Sequence, residues 1–556
     1  VPRKAVFSPA GLSLAVAVAL LTACSGGGGE AGGGDRHAGN VACVGTGTRA
    51  AAVGYTATPA AAFGTRATGE DTLFARQWHL QNTGQVDGAV AGEDINVAGV
   101  WSSFDGSGVR IAVVDDGLEI AHPDLAANVV PGASYDYTTG GNDPTGGSHG
   151  TSVAGVAAAV GFNGLGVRGV APAASLVGFN LLAGSGSGNE ADAMSRDASV
   201  AVSNNSWGPI DDTGLLLANS ALWRAGVESG IVNGRNGLGT AYFWAAGNGG
   251  RTVDNSNYDG YANYNRVMAI AALDAAGRSA SYSEPGANLL LAAPAGEFCD
   301  GSAAPATTVT VDRSGSLGAN DGGSVGELQD PDYTQCFNGT SSAAPVVAGV
   351  AALVLQANPA LSWRDLRAVL AHSARQNDPG DADWSSNGAG HWVNHKYGFG
   401  AADAQAAVNL AQTWTNFGEE RTQTCGAPVD YALLDGSGTE LDDPQYEGAV
   451  TSSIEVSQSS LSKVEFVDVV LTSDHSYSGD LEVVLTSPTG TRSVLAESHF
   501  CSGSGSCGPG FNNGWRFGSL RHMDETPNGT WTLSVRDGFS DDTGNFQSWQ
   551  LVLRGH

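Results

Sequence analysis

Short apolar runs alternate with longer runs of small residues over most of the chain. From about Glu70 to Asn416, the stretches VRIAVVD (109–115), ASLVGFNLL (174–182), AYFWAAG (241–247) and RVMAIAAL (266–273) have the length and the β-branched, aromatic texture of buried strands. Between them, HGTSVAGVAAAV (149–160) and TSSAAPVVAGVAALVLQANP (340–359) read as helices. That alternation predicts an α/β domain with a largely parallel sheet flanked by helices, whose functional groups gather at the carboxyl ends of the strands. From about Glu420 the texture changes to strands punctuated by Gly, Pro, Asn and Asp. Leu481, Val483 and Leu485 alternate inward, as do Trp531, Leu533 and Val535, and Trp549, Leu551 and Leu553. The period of two predicts an all-β sandwich.

One apolar run ends abruptly. IAVVDDGLEI (111–120) stops at two adjacent carboxylates, Asp115 and Asp116, and neighbours at the end of a strand point to opposite sides. The two acids can therefore have separate tasks: one can orient a histidine and the other can meet a cation.

Charge narrows the partners. The 556 residues carry 56 Asp plus Glu against 26 Lys plus Arg, a formal net charge of -30, which argues against nucleic acid or an anionic membrane surface. Arg3 and Lys4 precede the apolar stretch GLSLAVAVAL and then LTAC at 21–24. The stretch is too short for a stable membrane span and reads as a targeting segment. LTAC resembles a bacterial lipobox, which implies export with Cys24 as the lipidated residue. The predicted location is the cell envelope, at the outer membrane or the periplasmic face, or release from the cell. The glycine-rich stretch that follows reads as a flexible tether. The boundaries expected are a signal peptide at 1–23, the tether at 24–69, the α/β domain at 70–418 and the sandwich at 419–556. Setting Cys24 aside, six cysteines remain, with no C-x-x-C spacing, so an exported protein would use them as disulfides. The expected pairs are Cys299 with Cys336, Cys501 with Cys507 and, by elimination, Cys43 with Cys425.

His149 opens one small-residue helix and Ser341 opens another, with Pro345 assigned to the first turn of the second. A histidine at a helix start is often structural, and a serine there can be a simple N-cap. Their neighbours favour chemistry, because FWAAGNGG (243–250) ends a strand at Asn248, whose amide suits an oxyanion.

Together Asp115, His149 in H-G-T-x-x-A-G, Asn248 in A-G-N-G and Ser341 in G-T-S-x-A-x-P resemble the subtilisin-like serine proteases in motif and in chain order. The resemblance implies that Asp115 orients His149, that His149 is general base and then acid, that Ser341 is the nucleophile and that Asn248 joins the oxyanion hole. VVDDGLEIAHPDL, NNSWGPIDDTG and WAAGNGGRTVDNSNYDGY further resemble the kexin and furin group of proprotein convertases. The sandwich, through GDLEVVLTSPTGTRSVL and HMDETPNGTWTLSVRDGFSDDTGNFQSWQLVL, resembles the jelly-roll P domain of that group. The likeness runs over about residues 70–556.

The resemblance implies cleavage of protein or peptide substrates after basic residues. Asp211 and Asp259 would receive the arginine or lysine, Asp116 the residue before it, and Asp192 an outer position. Read as residues alone, Asp211 and Asp259 are also ordinary turn formers. Ile210, Leu217, Gly147 and Ser148 stand where the group commonly carries acids, which weakens the expected dibasic preference. Calcium is the implied cofactor, held by Asp71, Asp124 and Asn163 at one site and by Asp211, Asp254 and Glu284 at a second, with a partial third around Asp136 and Asp143. The resulting expectation is a monomeric, lipid-anchored, calcium-dependent serine endopeptidase. A broad-specificity extracytoplasmic subtilase and a catalytically silent surface binding protein are the alternatives.

Overall fold

The computed structural model describes residues 36–44, 70–299, 301–302, 305–433, 449–502 and 507–556. Cys24, the targeting segment and most of the tether lie outside the described residues. The chain from Arg36 to His556 forms one compact unit.

After an initial strand, β1 (Arg36–Val44), come β2 (Arg110–Val114), α1 (His149–Ala158), β3 (Ser175–Phe179), α2 (Ser187–Ser195), β4 (Val202–Asn205), α3 (Ala221–Asn233), β5 (Ala241–Ala245), β6 (Val267–Leu273) and β7 (Leu289–Pro294). Strands β2 to β7 form a six-stranded sheet in the order β3-β2-β4-β5-β6-β7, and every pair in it is parallel. An antiparallel pair, β8 (Thr308–Val311) and β9 (Tyr333–Phe337), leads into α4 (Thr340–Ala357). Then follow α5 (Trp363–Ser373), the short pair β10 (Ser385–Ser386) and β11 (Trp392–Val393), and α6 (Ala404–Ala411). Small residues let the helices approach one another. A Cβ on Gly349 of α4 would fall 3.0 Å from the Ala157 carbonyl oxygen of α1, and one on Gly155 of α1 would fall 2.4 Å from Thr310 of β8. Helix α5 is fixed by a capping box between Ser362 and Asp365.

The remaining strands are β12 (Arg421–Ala432), β13 (Val450–Ser457), β14 (Val464–Ser473), β15 (Leu481–Thr486), β16 (Arg492–Ala496), β17 (Trp515–Ser519), β18 (Gly529–Asp537) and β19 (Asn545–Gly555). They form sheets of order β1-β13-β18-β15-β16 and β12-β19-β14-β17. The alternating residues of β15, β18 and β19 are all buried between the sheets. All three expected disulfides are present: Cys43–Cys425, Cys299–Cys336 and Cys501–Cys507.

The tether departs from expectation. Residues 36–44 are not coil but an edge strand pairing in parallel with β13, and Cys43 ties that strand to β12. Glycine-rich composition hid a strand whose partner lies about four hundred residues downstream in the chain.

The sandwich and the α/β part share their cores. Phe466, Leu520 and Met523 pack in the α/β core, while Tyr258 and Ala287 pack in the sandwich core. Arg364 of α5 donates from Nε to Glu465 at 2.8 Å, and both side chains are almost fully buried. A chain ending at Glu419 should therefore yield insoluble or unfolded protein in expression trials. Phe466→Ala in the full chain should lose about 3–5 kcal/mol in urea unfolding; a soluble, cooperatively folding fragment would contradict this.

Candidate active site

Asp115 follows directly on β2 and is 0% exposed. Its Oδ1 lies 2.8 Å from His149 Nδ1 and accepts the Asp116 backbone N–H at 2.8 Å. His149, half-buried at the start of α1, has its ring edge-on to Phe337 at 5.5 Å. Only Asn338 and Gly339 separate that phenylalanine from α4, so the imidazole stands beside the segment that delivers Ser341. Burial works against a charged ring, but Asp115 and then Asp116 outweigh it, and the imidazole is pushed up to about 9.

Ser341 is gripped by Ser206, just beyond β4. Ser341 Oγ donates to the Ser206 carbonyl at 3.2 Å, and Ser206 Oγ donates to the Ser341 carbonyl at 2.9 Å. Pro345 makes the second bond possible. It lies one turn inside α4, not in its first turn as expected, and lacks the N–H that would have claimed the Ser341 carbonyl.

Asn248, beyond β5, is oriented by Thr340, which donates to its Oδ1 from the backbone at 2.8 Å and from Oγ1 at 2.9 Å. The amide nitrogen is thereby turned the other way, towards Asp211 Oδ2 at 3.4 Å.

Ser341, Asn248, Asp211, Asp254, Asp259 and Glu284 line one cavity of about 60 Å³. Its two walls are zipped by backbone bonds, Leu217 N–H to Tyr258 O and Gly260 N–H to Leu217 O, both 2.9 Å. The acids are crowded: Glu284, 4% exposed, is raised well above an ordinary carboxyl by burial and then by Asp254 and Asp211, and Asp254 is raised by burial against its backbone donors. Burial likewise pushes Asp259 up to about 7, against the amides of Tyr261 and Ala262. Glycines make room for them. A Cβ on Gly247 would fall 2.2 Å from Glu284 Oε1, and one on Gly249 the same distance from Asp254 Oδ2.

The sandwich braces these walls. Gly214 O lies 2.8 Å from His499 Nε2, Ser502 N–H donates to Thr213 O at 3.0 Å, and Asn255 Nδ2 donates to Glu497 at 2.7 Å.

Residues 106–400 match the model of the subtilase family, and residues 464–553 match that of the proprotein convertase P-domain. The chain belongs to the subtilase family. It is similar to a PC3-like endoprotease of Hydra vulgaris, 35% identical over 85% of this chain and 64% of the relative. It is also similar to the human proprotein convertase subtilisin/kexin type 4, 34% identical over 87% of this chain and 61% of the relative. The chain thus spans less than two thirds of the length of these relatives. Among solved structures, it resembles the serine protease of Aeromonas sobria with a TM-score of 0.76 and 30% identity, covering 88% of this chain and 96% of that one. That protease has also been crystallised with its chaperone.

Several residues of this subtilase are placed differently from the sequence expectation. Asp116 turns both oxygens to the N-terminus of α1, accepting from Gly150 N–H at 2.7 Å and His149 N–H at 3.2 Å, because the unpaired amides of a helix start attract an anion. Asp192 is held through Oδ2 alone, by Arg196 at 2.6 Å and by the Tyr137 hydroxyl at 2.8 Å, so its charge is already paired within the chain. Asp71, Asp124 and Asn163 do come together, but not as an oxygen cage. Asp71 takes the amides of Phe162, Asn163 and Gly164 and the Arg168 guanidinium at 2.7 Å, and Asn163 turns its N–H₂ to Asp124. These groups do not fit a calcium ion. Asp136 is likewise satisfied by Thr138, Thr139 and Asn180. Sequence reading missed Arg168, Ser206 and Thr340; the signal for Arg168 was a lone cation inside an otherwise acid-seeking loop.

The imidazole of His149 should titrate by NMR near 9, and Asp115→Asn should return it towards the ordinary histidine value. A folded-state value above the unfolded one means that His149 contributes stability in full below its unfolded pKa, and that this is lost as pH rises through about 9.

Proposed function

We propose that this subtilase is a calcium-dependent serine endopeptidase that cuts after arginine or lysine. The observation that carries the reading is the cavity itself, in which Ser341 and Asn248 share walls with Asp211 and Asp259. An arginine side chain fits Asp211 and Asp259 through charge-assisted bonds, whereas a neutral one leaves them unpaired.

In the mechanism proposed, Asp115 accepts the His149 Nδ1–H, and Nε2 presents its lone pair in the neutral rings, whose share grows as pH rises towards about 9. Ser341 Oγ swings from the Ser206 carbonyl to the imidazole, gives up its proton and attacks the carbonyl carbon after the basic residue. The oxyanion receives backbone N–H groups at the start of α4 together with the Asn248 amide hydrogen that is not directed at Asp211. His149 then hands the proton to the leaving amine, and a water repeats the sequence on the acyl-enzyme. Asp211, Asp254 and Glu284 would hold one calcium ion, whose charge keeps the pocket acids ionised. The donors at Asp71 support one such site behind the pocket, not two.

Dibasic preference is weak on this reading, since Asp116 is engaged by the start of α1, and the outer positions are tolerant, since Asp192 is paired with Arg196 and Ile210 is 74% exposed. Those same features favour the second reading, a subtilase tolerant at every position beyond the first. Three disulfides support export to an oxidising compartment, and the proposal includes lipid attachment at Cys24 and action as a monomer.

A fluorophosphonate probe should label the folded chain and fail on Ser341→Ala. In peptide-library profiling, cleavage should follow arginine and lysine, and Asp259→Ala should lower kcat/KM for arginine substrates about a hundredfold or more. Efficient cleavage after leucine or phenylalanine would defeat the basic assignment. Calcium titration should show one ion bound per chain and lost in Glu284→Gln, while Asp71→Asn lowers the thermal midpoint without abolishing uptake.

A further inference from the structure

Away from the catalytic cavity, His372 at the end of α5, His391 just before β11 and Asp524 before β18 meet where the α/β part joins the sandwich. His372 Nε2 lies 2.7 Å and His391 Nε2 2.8 Å from the same oxygen, Asp524 Oδ2. The two rings stack with centroids 4.6 Å apart, and the three ligand atoms all lie within 4.8 Å of one another. Among the described residues, this is the potential metal-binding group with two imidazoles. His372 Nε2 is buried yet meets no partner in hydrogen-bond geometry. Two stacked imidazoles share one carboxylate oxygen here, and they repel one another if both are charged.

The backbone under these side chains is fixed. Asn387 Oδ1 accepts the His391 N–H at 2.9 Å, while its Nδ2 donates to the carbonyls of Arg521 at 3.0 Å and Met523 at 2.9 Å. Asp524 sits at a positive φ of 65° with its N–H bonded to Val464 O at 2.7 Å. His372 is carried on a capped helix. The side chains remain 17% to 25% exposed, which leaves an approach for an ion and for water as further ligands.

We propose that His372, His391 and Asp524 form a binding site for zinc or a similar late first-row divalent cation that staples the sandwich to the α/β domain. Two imidazoles and one carboxylate match zinc in ligand type and number, with the open position filled by water. Calcium, which takes six to eight oxygens, does not suit this set. Bond lengths of about 2.0–2.2 Å require the ligand atoms to part by only some tenths of an ångström. The site shares no residue with the catalytic cavity, so it stands or falls independently of the proposed protease activity.

The test is zinc titration of the calcium-saturated full chain by calorimetry. One equivalent should bind, and His372→Gln and His391→Gln should each weaken binding at least about tenfold, since even loss of an outer partner has that effect. No uptake, or uptake unchanged in both variants, overturns the proposal. Should the variants fail to fold, carbethoxylation of the unmodified chain with diethylpyrocarbonate, read by mass spectrometry, decides. Zinc should protect His372 and His391 selectively over His395 and His556, and equal modification with and without zinc overturns the site.

Discussion

The concentration of carboxylates in one half-buried pocket is the constraint around which the rest of the molecule is arranged. Asp211, Asp254, Asp259 and Glu284 come from three separate loops, and burial together with repulsion from neighbouring acids opposes the ionisation of Asp254, Asp259 and Glu284. The chain answers with backbone amides: Asn248 N–H to Asp211 at 3.0 Å, Gly249 N–H to Glu284 at 3.0 Å and Tyr261 N–H to Asp259 at 2.7 Å. These bonds demand that the loops come close, which is why a side chain on Gly247 or Gly249 would strike a carboxylate.

Such loops need support from outside, and the sandwich supplies it. The wall that carries Asp254 and Asp259 docks through Asn257, which exchanges bonds with Gly518 of β17 at 2.7 and 3.1 Å, and through Tyr258, stacked on His499. Buried ion pairs fix the docking register. Glu465 is held ionised against its burial by His556 and Arg364, with Arg367 close by. Pairs of this kind add little net stability over apolar packing, yet removing one partner leaves an uncompensated charge. The shared cores around Phe466 and Tyr258 make the two halves one cooperative unit.

The proposed nucleophile depends on a second local device. Pro345 takes a backbone donor out of α4, and Ser206 fills the vacancy, so the carbonyl and the hydroxyl of Ser341 are both tied to β4's end. Thr340 does the same for Asn248. Each positioning contact joins a helix start to a strand end, where a parallel sheet leaves its polar groups unpaired.

Period-two and small-residue patterns determined the two architectures, because a side chain's burial depends on which way its own strand or helix turns it. The motifs likewise determined which residues meet: Asp115 with His149, and Asp211, Asp254, Asp259 and Glu284 around Ser341, since their backbone placement follows from strand ends and helix starts. Cysteine count was enough to anticipate three pairs. Only the tertiary structure decided the strand at 36–44, whose partner is remote, and the employment of Asp116, Asp192 and Asp71. Each of those acids was expected to face an external cation, and each found a donor inside the chain: the amides of α1, Arg196 and Arg168. A carboxylate's identity is written in the sequence, but the competition between solvent, ligand and a neighbouring N–H is settled by distances of a few ångströms that exist only once the chain has folded.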